Sequence, residues 1–455
     1  MSERDTNSTQ RLADVFTKLR QIAEKAKTER QLQFTSLAHL MTVDLLRDSL
    51  GRLRKDAAAG VDRVTWQEYE TEQGTRLADL HKRLREGRYR AQPVRRVNIE
   101  KEDGSKRPLG IPATEDKVVQ RAVVTLLEPI YESDFHACSY GFRPGRNAWQ
   151  ALDELRSNLS FGRINYIIDA DIKRYFDSVV QKHLMEFLRV RVADRSILRL
   201  ISKWLRAGVI DEGRLLRSEI GTPQGSVISP LLANIYLHYV LDEWWHRDVI
   251  PRMHGEAFLI RYADDFVAGF QHRRDAERVM AALEKRFERF GLELHKEKTR
   301  LIPYGQFAEQ KERQAGRTGS SETFNFLGFT HLFVRNQLGK AVHYVRTMAK
   351  RVRRTLKSIG EWCRRNRHLP VRDQQVALAA KLQGHYAYYG RRTNIYQLHV
   401  VHHWTIRLWH KWLARRDGRD GFLTWEAFNS ILAQHPLPTP RITEPIRYFA
   451  RPQSH

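Results

Sequence analysis

The residues best placed to do chemistry are two adjacent carboxylates, Asp264 and Asp265, in the run Leu259-Ile260-Arg261-Tyr262-Ala263-Asp264-Asp265-Phe266-Val267-Ala268-Gly269. Strand-forming residue types flank the pair on both sides. The run therefore reads as two strands with the carboxylates at or beside the turn. Neighbouring carboxylates repel each other unless a cation neutralises them. Oxygen ligands of this kind suit Mg²⁺, which takes one or two carboxylates together with substrate phosphates. Nucleotidyl transfer with two ions about 3.5–4 Å apart needs a further carboxylate facing the turn. Taken alone, an Asp-Asp pair reads as a solvated polar turn; the rest of the chain argues for the site.

The facing carboxylate is sought in Tyr166-Ile167-Ile168-Asp169-Ala170-Asp171-Ile172-Lys173-Arg174-Tyr175-Phe176-Asp177. The apolar run from Ile164 to Ile168, broken by Asn165, reads as a buried strand. It delivers Asp169 and Asp171 two residues apart and so on one face. Asp177 lies beyond a turn, and spacing alone leaves all three open.

Other stretches have the residue types to meet a polyanion. Val94 to Ile99 alternates like a strand, residues 101–106 form a turn, and Arg107-Pro108-Leu109-Gly110-Ile111-Pro112 is held extended by its prolines. A helix from about Glu115 then carries Lys117, Gln120 and Arg121. Such a basic hairpin suits triphosphate and template backbone, although taken alone it is a solvated charged hairpin. Ser139-Tyr140-Gly141-Phe142-Arg143-Pro144-Gly145-Arg146 interleaves aromatics with arginines, a composition suited to bases and phosphates. Gly221-Thr222-Pro223-Gln224-Gly225-Ser226-Val227-Ile228-Ser229-Pro230 is a loop leading into an amphipathic helix, with Pro230 in its first turn and Ser229 as its cap.

These strings, in this order, resemble group II intron-encoded reverse transcriptases of the bacterial type that lack an endonuclease domain. The likeness covers roughly residues 45 to 445. It rests on Asp-Ile-Lys-x-x-Phe-Asp, Tyr-Ala-Asp-Asp, Arg-Pro-Leu-Gly-Ile-Pro, the Ser139–Arg146 string, Pro-Gln-Gly, and Gly384-His385-Tyr386-Ala387-Tyr388-Tyr389-Gly390. It implies that Asp171, Asp264 and Asp265 are catalytic and hold two Mg²⁺ ions, with Mn²⁺ as a substitute. By the same likeness Lys101 and Arg107 (or the adjacent Lys106), Ile172, Phe176, Gln224 and Gly225 meet the incoming nucleotide. The Phe176 ring would clash with a 2′-hydroxyl and so favour deoxynucleotides. Phe324 to Phe329 resembles a primer-gripping strand, with Leu327 and Gly328 at the primer. Arg143, Arg146, Arg346, Lys350, Arg353 and Arg354 are the expected RNA contacts.

The implied fold class is α+β: a right-hand polymerase with fingers and an antiparallel palm sheet, followed by a helical thumb/maturase domain. The expected divisions are a helical extension over 1–60, fingers over 61–155, and palm over 156–340 with fingers elements around 180–220. Thumb/maturase follows over 341–397, and a basic DNA-binding-like segment over 398–455. The implied function is RNA-directed DNA polymerisation with a maturase role in intron splicing. A reverse transcriptase recruited to host defence or repair, or a splicing-only maturase, are the alternatives.

Composition agrees. The 455 residues carry a formal charge of +25 with a pI near 10.2, which argues for a polyanionic partner. From residue 341 onward, 21 Lys and Arg face 6 Asp and Glu, a net +15 of that total. The expected partners are intron RNA or another RNA template, a DNA primer or target, and deoxynucleoside triphosphates. Two distant cysteines, Cys138 and Cys363, exclude a disulfide framework and a Cys-rich zinc site. No run of 18 or more apolar residues is present, so no membrane span is expected. The expected location is cytoplasmic, with nucleoid association during action on DNA.

Helical spacing is expected for residues 11–55, with Thr65 capping a helix from Trp66, and for 273–290, 371–389 and 395–414. A further stripe runs through Val345, Met348, Val352, Leu356 and Ile359, and residues 291–299 read as a strand. The histidines around Trp404, Trp409 and Trp412 lack a zinc-ligand pattern and read as packing or RNA contacts.

Overall fold

The computed structural model describes residues 3–100, 106–211, 214–216, 221, 225–305, 307–308, 314, 316, 322–335, 337, 341–416 and 423–444. Two compact units emerge. The first comprises Met1–Asp153, Ala170–Gly269 and Arg273–Leu301; the second comprises Glu154–Asp169, Phe270–His272 and Ile302–His455.

The strands among the described residues are β1 (Val94–Glu100), β2 (Lys106–Ile111), β3 (Tyr166–Asp171), β4 (Val209–Asp211), β5 (Arg214–Leu216), β6 (Ala257–Tyr262), β7 (Asp265–Phe270), β8 (Arg300–Pro303), β9 (Phe324–Phe326), β10 (Phe329–Arg335) and β11 (Ala341–Thr347). They form three sheets, ordered β2-β1-β4-β5, β6-β7-β3-β8 and β11-β10-β9. The expected basic hairpin is real: β1 and β2 pair antiparallel from Arg95 with Ile111 to Glu100 with Lys106. Mixed α/β content with antiparallel sheets agrees with a polymerase fold at that coarse level.

The first unit is built on the helix Thr114–Asp134. Its Val118, Val119, Ala122, Val123, Leu126, Leu127 and Ile130 are fully or almost fully buried. Helices Glu3–Thr28, Val43–Gly51 and Ser229–Leu237 pack on it. Thr65 caps its helix through a complete capping box with Glu68, as its position before Trp66 predicts. The second unit is held by a separate core of Val352, Ile359, Cys363, Leu378, Leu382, Tyr386, Leu398, Val401, Trp409, Leu413, Phe428 and Leu437. Among the described residues, no helix is long and apolar enough to cross a membrane.

Four local expectations change. Val345 and Arg346 lie on β11, paired with His331 and Thr330, and the helix starts only at Ala349. The three-residue spacing from Val345 to Met348 imitates a helix, but the β-branched residues of 342–347 favour the ladder with β10. Ser229 is the first residue of its helix rather than its cap; Ile228 stands at the cap position, with Pro230 in the first turn. Residues 291–299 are not a strand. Leu294 makes a single bridge to Ile172, and turn hydrogen bonds from Lys298 and Thr299 to the His295 carbonyl satisfy that backbone locally. Phe324 to Phe329 is two strands joined at Leu327 and Gly328, both with positive φ (48° and 82°). In addition, the helix Ile395–Leu413 runs unbroken through the expected division at 397/398.

Candidate active site

Strand direction sets side by side the ends of β3 and β7 that carry the carboxylates. β3 and β7 are neighbours in one sheet. Just before β3, the Asn165 amide donates to the carbonyl of Phe270 at the end of β7 (2.9 Å). A strand that starts at its neighbour's last residue must run back along it. β3 therefore ends, at Asp171, beside the start of β7, at Asp265. The turn Tyr262 to Asp265 holds Ala263 at φ 59°, a conformation costly for a residue with a Cβ. All three carboxylates are partly exposed. Lys298 Nζ sits 2.5 Å from Asp171 Oδ2, and the Asp171 carbonyl accepts from the His295 amide (2.8 Å). Lys298 was not singled out from the sequence, because a lysine in a charged stretch carries no signal of its target.

The strained turn is held by a residue that the sequence offered but that was passed over. Arg261 is fully buried, and its guanidinium pairs with the fully buried Asp242 (2.5 Å). It also donates to Asn234 Oδ1 (3.0 Å), to Ser139 Oγ (2.7 Å) and to the Ala263 carbonyl (3.0 Å), the last directly behind the Asp pair. Asn234 Nδ2 donates in turn to the Gly141 carbonyl (2.7 Å). The backbone of Arg261 bonds to Cys138 and Tyr140 on both sides. A Cβ on Gly141 would lie 2.4 Å from the Ala263 nitrogen, so only glycine allows the loop this close. The legible signal was a lone arginine inside an apolar strand, which must find a buried partner.

That contact revises the reading of the Ser139–Arg146 loop. Arg143 is buried, bonded to Glu132 (3.0 Å) and to the carbonyls of His136 and Ser139 (2.8 Å each), with its guanidinium over the Phe135 ring. Its donors are spent on shaping the loop. Arg146 is half-buried, donating to the Ala137 carbonyl and lying over Tyr140. Ile172 is 3 % exposed, so its side chain is unavailable to a ligand.

Two motifs more than a hundred residues apart meet here. Gly225 has φ 107°, and a Cβ on it would lie 2.8 Å from the Gly110 carbonyl of β2. The Val227 amide donates to Gln120 (3.0 Å), and Lys117 Nζ to the Ala58 carbonyl (2.6 Å). Gly221 lies against the segment carrying Phe176: its amide donates to the Val179 carbonyl (2.8 Å) and a Cβ would lie 3.2 Å from the Asp177 carbonyl. Phe176 is half-buried, edge-on to the buried Tyr175 (5.4 Å). Lys101 and Gln224 lie outside the described residues, as do the side chains of Lys106 and Arg107.

In the second unit, Arg346 on β11 is exposed, as are Lys350, Arg353 and Arg354 on the helix Ala349–Arg365, while Val352, Ile359 and Cys363 of that helix are buried. The Leu327 carbonyl accepts from Tyr388 (2.9 Å), and a Cβ on Gly328 would lie 3.0 Å from the Tyr389 hydroxyl. Both tyrosines belong to the Gly384–Gly390 string, so that string packs against the Leu327–Gly328 turn.

Residues 99–331 match the family model described as reverse transcriptase (RNA-dependent DNA polymerase). The chain is 36% identical to protein YkfC of Escherichia coli (strain K12) over 280 residues, covering 54% of this chain and 74% of YkfC. It is 42% identical over 156 residues to the group II intron-encoded protein LtrA of Lactococcus lactis subsp. cremoris, 34% of this chain but 26% of LtrA. With nuclear intron maturase 1, mitochondrial, of Arabidopsis thaliana it shares 35% identity over 95 residues, 21% of this chain and 13% of that protein.

Proposed function

The chain belongs to the reverse transcriptase family, and from that premise we propose that it is an RNA-directed DNA polymerase of a group II intron with a maturase role in binding the intron RNA. The observation that carries the reading is the antiparallel run of β3 and β7, which sets Asp171 beside the Asp264–Asp265 turn. Partly exposed carboxylates with no sulfur or imidazole among them fit hard divalent cations, and Asp171, Asp264 and Asp265 would hold two Mg²⁺ ions. Such ions, when bound, supply activation of a primer hydroxyl and neutralise charge on the leaving pyrophosphate.

The chain's own residues do the positioning. Arg261, fixed by Asp242, holds the turn through the Ala263 carbonyl. Lys298 balances one negative charge at Asp171. Phe176 presents the ring that excludes a ribose 2′-hydroxyl. Gly225 lies against Gly110 of β2, and Lys101, Arg107 and Gln224 are assigned to the nucleotide together with the Ile172 backbone. Leu327 and Gly328 are assigned to the primer; Arg146, Arg346, Lys350, Arg353 and Arg354 are assigned to RNA.

In this reading residues 61–155 are fingers and 156–340 palm, with fingers elements around 180–220. The thumb/maturase helices begin after β11, and the unbroken helix through 397/398 supports joining the basic C-terminal segment to them.

The test is primer extension by purified protein on an RNA template with Mg²⁺, supplied with deoxy- or ribonucleotides, beside an Asp264→Asn control. Extension with deoxynucleotides alone, absent in the control, is expected. Salt-sensitive RNA binding without extension would replace the polymerase by a splicing-only maturase.

A further inference from the structure

A second cluster in the first unit has ligand chemistry of another kind. His136 lies in the loop after the helix Thr114–Asp134, and His238 and Glu243 lie on the helical stretch after Leu237. His136 Nε2 is 2.9 Å from Glu243 Oε1, and His238 Nε2 is 3.7 Å from the same oxygen. The three ligand atoms all lie within 4.8 Å of one another. Around a tetrahedral ion with bonds of about 2.0–2.2 Å, ligand atoms stand about 3.3–3.5 Å apart. The two measured separations bracket that spacing.

The backbone is shaped to make the cluster. In an α-helix, residues five apart point to different faces. Here His238–Asp242 winds as a π-helix, and the Glu243 amide donates to the His238 carbonyl, an i→i+5 bond. That turn swings Glu243 back under His238. Single π-turns are rare and concentrate at functional sites.

His238 is 2 % exposed and packs its ring against Phe135, His136 and Tyr239. Its Nε2, the atom that faces Glu243, stands beyond hydrogen-bond reach of that carboxylate at 3.7 Å, and its buried Nδ1, on the other side of the ring, calls for a water of its own. His136 and Glu243 are partly exposed, so solvent reaches their side of the cluster. His246 stacks on His136 at 4.1 Å and fixes that ring's plane.

We propose that His136, His238 and Glu243 form a binding site for a divalent transition-metal ion, Zn²⁺ by its donor set, stapling the loop before Ser139 to the helical stretch that carries Asp242. Two imidazoles and a carboxylate select Zn²⁺ over Mg²⁺, so the site is chemically distinct from the aspartate cluster. It does not depend on the polymerase reading.

The experiment uses full-length, tag-free protein equilibrated with Zn²⁺ in a large excess of Mg²⁺, which keeps the all-carboxylate site filled. Metal content is read by mass spectrometry, coordination by the absorption of the Co²⁺ form, and stapling by Tm. About one Zn²⁺ per chain, a tetrahedral Co²⁺ spectrum and a Zn²⁺-dependent rise in Tm are expected. Glu243→Gln and His136→Gln, at partly exposed positions that spare the fold, should each weaken retention more than the about 10–100-fold that loss of an outer-shell partner costs. Retention no better in the wild type than in these variants, or an octahedral Co²⁺ spectrum, means an adventitious ion only and overturns the proposal.

Discussion

The two units use charge in opposite ways. In the first, several charged side chains are buried and individually matched: Arg261 with Asp242, Arg191 with Asp134 (2.9 Å) and Arg143 with Glu132. In the second, most of the described arginines are exposed, as Arg353, Arg354, Arg364 and Arg365 are on the helix that buries Ile359 and Cys363. Glu444, buried with Arg156 (2.8 Å), is an exception there. Matched charges hold atoms in place and are intolerant of change. A field of exposed charges attracts a polyanion and degrades gradually.

The largest expected effect tests the first half of that contrast. Asp264→Asn should lower primer extension by about 10³-fold or more, the several kcal/mol a metal ion supplies at phosphorus, and leave RNA affinity within about twofold. Joint loss of both would mean that the aspartates organise the fold rather than the chemistry.

Next comes the buried pair. Arg261→Met leaves Asp242 buried without its partner, which should cost about 3–5 kcal/mol of stability by denaturant titration. Adding Asp242→Leu should recover most of that stability. Extension should stay low, because the Ala263 carbonyl still lacks its donor. Recovery of both together would reduce Arg261 to a packing residue.

The same contrast explains what the sequence conveyed. Short strings with fixed residue types, such as Tyr-Ala-Asp-Asp, were legible because a site needs those types at that spacing. The helices at 371–389 and 395–413 were legible from periodicity, since each buries one stripe. The partners of Arg261 and Arg143 were not legible, because burial pairs residues distant in the chain. Val345 was misplaced because a three-residue spacing across a strand end imitates a helix. The π-turn at His238–Asp242 leaves no mark in residue pattern at all.

Acid should separate the units next. In the second, burial lowers His331 to about 3 and His385 to about 4, and His343 also lies well below the ordinary value. Their unfolded values are about 6.5. Between those limits the unfolded chain binds more protons, so stability falls as pH drops below about 6.5. The first unit carries opposed groups. Burial lowers His238 to about 4 but raises Asp116 and Asp134 to about 6, so these carboxyls favour the folded state as pH falls from 6 toward 3.8. Hydrogen exchange from pH 6.5 to 4.5, corrected for intrinsic rate, should show the second unit losing protection first. The reverse order would break the comparison.

The smallest effect is expected where the charge is most abundant. Arg353 and Arg354 are exposed on the helix Ala349–Arg365, and their neighbours Lys350 and Lys357 are exposed too. If this face meets RNA phosphates as a field, each arginine contributes a counterion-release term and little geometry. Arg353→Ala with Arg354→Ala should then reduce the slope of log affinity against log salt by about 1.4–1.8, two phosphate contacts' worth. Affinity at low salt should fall accordingly, while stability changes by less than about 0.5 kcal/mol, as for surface substitutions generally. Restoring charge with lysine at both positions should return most of the slope, since a point charge suffices for a phosphate. Failure of lysine to rescue would mean that these arginines read their partner by fork geometry, and the second unit would then resemble the first in how it uses charge.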